Sequence, residues 1–130
     1  MLPLRYARLW LAGGILLVLI VLGGSLVPGE YVEGAMVWND KVTHALAYTG
    51  LTLWFTGIFP RRRYGWIVLV MFLLGLSIEG LQGSMSYGRQ GDYADLAANS
   101  SGILLGLLLA LTPLGSWATR MDARVSGMIG

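Results

Sequence analysis

Cysteine is missing altogether from the 130-residue chain. That excludes a disulfide framework and any thiolate metal site, and it leaves the redox compartment open. Charge is scarce as well. Asp, Glu, Lys and Arg make up 12% of the residues, against about 25% in soluble domains. The formal balance of +2 is small and dispersed, so no nucleic-acid partner is expected. There is one histidine, too few for a His-Glu-x-x-His zinc motif, and no nucleophile elbow occurs. No soluble domain, internal repeat or low-complexity linker interrupts the chain. What remains is apolar: 55% of the residues are hydrophobic. A chain of this kind is bounded first by the bilayer, and at this length by a single domain, 1–130.

Four apolar runs divide it. The first, about 9–27, follows Arg5 and Arg8 and comes close to the ~20 residues that span a bilayer. Gly23-Gly24-Ser25 imitates a signal cleavage site, but the run is read as a retained anchor. Pro28-Gly29 breaks it, and a polar, acidic stretch follows over 30–40, with Tyr31 and Trp38 suited to an interface. The second run, about 41–59, ends at Pro60 before Arg61-Arg62-Arg63. The third covers about 64–84. A glycine-spaced turn over 87–91 leads into the fourth, about 92–112, which Pro113-Leu114-Gly115 ends. Residues 116–130 read as a short tail, frayed or interfacial. The tryptophans read as interfacial anchors or lipid-facing bulk. The expected fold is therefore all-α, an integral membrane bundle of four transmembrane helices.

With four spans, the two ends and the middle loop share one side. That side holds Arg5, Arg8, Arg61, Arg62, Arg63, Arg120 and Arg124, whereas the opposite side holds Lys41 and Arg89. The positive-inside rule then places both termini in the cytoplasm.

The polar residues inside the runs converge on the other side. At 1.5 Å per helical residue, Glu79 lies roughly 8 Å below the outer end of the third helix, and Asp95 and Asn99 about 5 and 10 Å below that of the fourth. His44 and Tyr48 lie one and two turns below the outer end of the second. Residues three or four apart share a helix face. Asp40, His44 and Tyr48 form one stripe, Glu79 and Gln82 another, and Asp92, Asp95 and Asn99 a third, continued inward by Gly102 and Gly106. The Gly102-x-x-x-Gly106 pair lets a neighbouring backbone approach. The second, third and fourth helices are therefore expected to pack around a shallow, outward-facing polar pocket, with the first as anchor and packing partner. Ionisable groups at membrane depth are costly, which makes each one a functional candidate. Arg89 or Lys41 is expected to offset Asp92 or Asp40. Glu79, the deepest acid, has no partner at helical spacing and is the candidate for proton exchange.

These residues also carry a resemblance. Asp40-Lys41-x-x-His44-x-x-x-Tyr48 resembles the opening motif of VanZ-like membrane proteins. Glu79-x-x-Gln82, then Arg89, then Asp92-x-x-Asp95-x-x-x-Asn99-x-x-Gly102-x-x-x-Gly106 resembles their closing motif. One departure is Gly91, where the family usually has a bulkier residue. The resemblance implies a multi-pass protein of the bacterial cytoplasmic (inner) membrane, and a link through the family's namesake to resistance against teicoplanin, which engages cell-wall precursor at the outer face. It implies no particular reaction.

Three functions are weighed. In the first, the pocket binds a lipid headgroup or a lipid-linked cell-wall precursor. Lys41 and Arg89 hold a phosphate, and the acids and His44 hold amines, hydroxyls or a divalent cation such as Mg²⁺. In the second, the pocket is catalytic, with Glu79 or His44 as general base and Asp95 beside them. Asp40, Lys41, Tyr48, Gln82, Arg89, Asp92 and Asn99 then bind substrate. In the third, the protein is a structural or partner-binding membrane subunit, and Gln82 and Asn99 clamp helices through hydrogen bonds. A proton-coupled carrier is a more distant fourth, since four short spans make a small pathway without assembly into a homo-oligomer.

Overall fold

The computed structural model describes residues 1–26, 40–84 and 93–129. Among them the fold is all-α: α1 Ala7–Leu26, α2 Asp40–Ile58, α3 Tyr64–Ser84, α4 Tyr93–Ala110 and α5 Trp117–Ile129, with single 3-10 turns at Arg61–Arg63 and Pro113–Ser116. Each 3-10 turn begins where proline forbids the preceding helix to continue. Pro60 and Thr112 are both extended, and the Thr112 hydroxyl accepts the Leu114 N–H at 3.3 Å. The chain bends by 80° at the second of these turns.

By length and composition, Ala7–Ser25 and Arg61–Leu81 are apolar enough to cross a bilayer, and a third span exists if the bent pair from Asp95 to Met128 counts as one. The helix α2 does not reach that standard, and its position explains why. It packs against α1, α3, α4 and α5, so its surface meets protein. Thr52 and Thr56 are buried on it, and the Thr56 hydroxyl donates to the Thr52 carbonyl of its own helix at 2.7 Å. A hydroxyl satisfied in this way is tolerated in an apolar interior. The outer helices carry the exposed apolar residues, among them Leu16, Leu19 and Ile20 of α1 and Leu73 and Leu76 of α3.

The tightest seam joins α2 to α4, which run parallel. The Thr49 hydroxyl donates to the Gly102 carbonyl at 3.0 Å and to the Ala45 carbonyl at 2.7 Å. A Cβ on Gly102 would collide with the Ala45 carbonyl oxygen, and one on Gly106 would sit 2.7 Å from Thr52 Cβ and 2.8 Å from the Thr49 carbonyl oxygen. The two glycines are therefore what lets the backbones approach. The central cluster is Tyr48, Leu51, Ile67, Met71 and Ile103, contributed by α2, α3 and α4.

The ends of the bundle differ. The Leu2 N–H donates to the Ile58 carbonyl at 2.9 Å, and Asp122 of α5 accepts the N–H groups of Arg5 and Tyr6. These contacts gather the N-terminal segment, the Arg61–Arg63 turn and α5 at one end, and with them every described arginine. Lys41 and Asp95 lie at the other end.

Two features of the arginine end go beyond the sequence reading. Residues 117–129 form an amphipathic helix, which sets aside the frayed alternative and leaves the interfacial one. Three of the tryptophans do not stand singly but form one cluster. Trp10, Trp54 and Trp117 pack on one another, with ring centroids 6.2, 5.7 and 4.7 Å apart. Their indole N–H groups donate inward, to Asp122, to the Trp10 carbonyl and to the Leu53 carbonyl, each at 2.9 Å. The rings are half-buried, and each indole N–H has found an acceptor. Trp66, at 64% exposure, does face outward.

Candidate functional site

The polar layer is built from three helices at the end opposite the arginines. On α2, His44 and Tyr48 lie one turn apart on the buried face, with Lys41 half-exposed at the rim. On α4, Asp95 and Asn99 are buried one turn apart, above the glycine seam. On α3, Glu79 is half-buried. Gly75 lies one turn below Glu79. A Cβ there would meet Asn99 Nδ2 at 3.1 Å and the Tyr48 hydroxyl at 3.5 Å. The absence of that Cβ lets groups from all three helices share one layer.

Lys41 is ion-paired with Asp95. The parallel packing of α2 and α4 puts their first turns side by side, so the lysine reaches the acid of the neighbouring helix. The expected pairing with Asp40 or Asp92 lies outside the described residues. Glu79 also differs from its reading in sequence: the fold supplies it with interactions that helical spacing did not offer. Beneath the ion pair, the Tyr48 hydroxyl and Asn99 Oδ1 are buried with no hydrogen-bond partner among the described residues. An unsatisfied buried polar group costs about 1–3 kcal/mol. Thr52 Oγ1, in the glycine seam, is in the same condition, but among the described residues only at Tyr48 and Asn99 do two such groups stand in one layer with ionisable side chains.

The structure thus brings Lys41, His44, Tyr48, Glu79, Asp95 and Asn99 to one end of the bundle. The side chains of Asp40 and Gln82, and the whole of Arg89 and Asp92, lie outside the described residues. Among the described residues no three His, Asp or Glu side chains gather as a metal site.

A second polar centre, at the arginine end, escaped the sequence reading. Burial pushes the Asp122 carboxyl up. The hydrogen bond from the Trp10 indole, those from the Tyr6 and Arg5 N–H groups and the charge of Arg5 pull it down more strongly, so it lies below its ordinary value of 3.8. Asp122 satisfies N–H groups at the entry to α1 that have no partner within the helix. The available signal was a lone acid between Arg120 and Arg124, which reads equally well as a solvated tail.

The VanZ/LLP1 family model matches residues 20–114. The match takes in α2, α3 and α4 with the whole polar layer, and stops short of α5. No curated protein and no solved structure is significantly similar to the chain. With helices apolar enough to span a bilayer and a family match over well more than half its length, this chain is an all-α membrane protein that belongs to the VanZ/LLP1 family.

Proposed function

We propose that the polar layer is a binding site for a lipid headgroup or a lipid-linked cell-wall precursor at the outer face of the bacterial cytoplasmic membrane, where the bound group is held or modified. In this reading the chain crosses four times, both termini are cytoplasmic, and teicoplanin resistance is one outcome of changing what is presented at that surface. The observation that carries it is the buried juxtaposition of Tyr48 and Asn99, with polar atoms unpaired among the described residues, beneath an ion pair and beside Gly75, one turn below Glu79. The gathering of arginines at the opposite end supports the orientation. Lys41 holds a phosphate in exchange for Asp95, Tyr48 and Asn99 hydrogen-bond hydroxyl or amide groups, and Glu79 and His44 move a proton if a reaction occurs. Mg²⁺ is an optional companion of the phosphate.

The ion pair also favours a second reading, that of a structural or partner-binding subunit. Lys41–Asp95 joins two helices and neutralises the buried acid without any ligand.

The test is mass spectrometry of lipids and cell-wall precursors from cells expressing the native chain, Glu79→Gln or Asp95→Asn at matched membrane levels. A species that appears only with the native chain makes the protein an enzyme. Unchanged chemistry, with a teicoplanin phenotype that both substitutions abolish, supports a binding site without catalysis. A phenotype that survives both substitutions sinks the headgroup reading in favour of the structural one.

A further inference from the structure

The arginine end has a groove of its own. Between α1 and α3 lies a cavity of about 480 Å³ walled by Leu11, Val18, Ile67 and Val70, with Phe55 behind them and Trp66 and Arg63 at the mouth. Its volume falls within the range of about 300–1,000 Å³ usual for small-molecule sites. Its walls are apolar and open to the surface where a membrane protein meets acyl chains. A second lipid-facing groove, about 260 Å³ between α3 and α4, is lined by Val68, Phe72, Ile103 and their neighbours and has no charged residue.

The difference is the Arg61–Arg63 turn. All three residues are exposed, and among the described residues none of them forms an ion pair. The nearby acid does not serve them, because Asp122 is taken up by Arg5, Tyr6 and Trp10. Exposed guanidinium groups at the edge of an apolar groove match a molecule with a phosphate at one end and a hydrocarbon chain at the other. Guanidinium binds phosphate in bidentate fashion and sheds its own hydration readily.

We propose that this groove holds an anionic phospholipid, one acyl chain lying between α1 and α3 and the phosphate on Arg63. The site is distinct from the polar layer. It requires that the chain sits in a membrane, but not that the arginine end faces the cytoplasm or that the polar layer binds anything.

The full chain, reconstituted in phosphatidylcholine vesicles, tests it. Part of the lipid is replaced by acyl-brominated phosphatidylglycerol or, at equal bromine content, by brominated phosphatidylcholine. The readout is the quenching that disappears in a Trp66→Phe chain, which isolates the tryptophan at the groove mouth. The native chain is expected to be quenched by the anionic lipid at a several-fold lower fraction than by the zwitterionic one. Arg63→Gln should reduce that preference roughly fivefold, the effect of one basic residue at a membrane surface. Arg63→Lys should keep most of it. Val70→Phe fills the groove without touching the arginines and should abolish the preference at Trp66. Equal quenching of the native chain by both lipids overturns the proposal. So does a preference that survives Val70→Phe, since the arginines would then be gathering lipid without a groove. Symmetric vesicles make the outcome independent of topology, so a failure here leaves the polar-layer reading standing.

Discussion

Lys41 on α2 and Asp95 on α4 are 54 residues apart in sequence and ion-paired in the fold, the lysine 39% exposed and the aspartate 6%. The pair stands at the parallel start of two helices whose backbones are held together about two and three turns further along α4 by Gly102 and Gly106. A charge at the rim is thus tied to a close approach in the interior.

Because Lys41 is more than a third exposed, the pair contributes less than a fully buried one. A double-mutant cycle of Lys41→Met and Asp95→Asn, followed by thermal unfolding in detergent, should give a coupling of about 0.5–1 kcal/mol. Lys41→Met should cost more than Asp95→Asn, since it takes this partner from the buried carboxylate, whereas the lysine left by Asp95→Asn is half-exposed. Strict additivity would show that the pair contributes nothing.

The glycine seam predicts opposite effects from the same substitution. Gly102→Ala puts a methyl group into the Ala45 carbonyl and should destabilise by about 1–3 kcal/mol, the cost of overpacking. Gly50, on the same helix as Ala45, has nothing within 4 Å of an added Cβ. Gly50→Ala should be neutral or stabilising by up to about 1 kcal/mol, as it restricts the unfolded chain. Melting temperatures of the two variants in one detergent settle the matter.

The carboxyl of Asp122 lies below its ordinary value of 3.8 in the folded chain. The native state therefore holds this proton less readily than the unfolded one. Its stabilisation is complete above the ordinary carboxylate range and is lost as pH falls through the folded value. Tryptophan emission from the neighbouring cluster, followed from pH 7 to 3 at fixed temperature (about 25 °C), should change at the acid end in the native chain and stay flat in Asp122→Asn. An identical acid transition in both would assign it to another carboxylate.

Trp117 carries the attachment of α5. Trp117→Phe keeps an aromatic ring but removes the donor to the Leu53 carbonyl and the contact at 4.7 Å with Trp54. It should cost about 1 kcal/mol or more. It should also diminish the near-ultraviolet circular dichroism that closely packed indoles produce. An unchanged spectrum would mean that the three rings do not stack in solution.

Much of this architecture is legible before any coordinates. The hydropathy of 9–27 and 64–84 marks the two helices that are apolar enough to cross alone, and proline at 60 and 113 marks where helices stop. The spacing of Asp95, Asn99, Gly102 and Gly106 puts them on one face, and that face is buried. The tryptophans show where legibility fails. Trp10, Trp54 and Trp117 each stand near a helix end with basic residues close by, a pattern shared by membrane-interface anchors and by a packed cluster. Only the crossing of the helices distinguishes the two. Asp122 is ambiguous in the same way, because an acid flanked by arginines looks solvated until the N-terminus of α1 is folded against it.

The sequence by itself determined that the chain is helical and bilayer-bound, which residues share a helical face, and that all its arginines but Arg89 lie in stretches apart from the membrane-depth polar groups. Those properties follow from local periodicity and from the cost of moving charge and unpaired backbone into hydrocarbon. Tertiary structure alone decided that α2 and α4 touch backbone to backbone, that Lys41 meets Asp95, and that Trp10, Trp54, Trp117 and Asp122 clasp α5 to the bundle. Periodicity names the face that a helix buries. The partner of that face is set by side-chain shape and hydrogen-bond satisfaction between segments far apart in the chain, which no local pattern encodes.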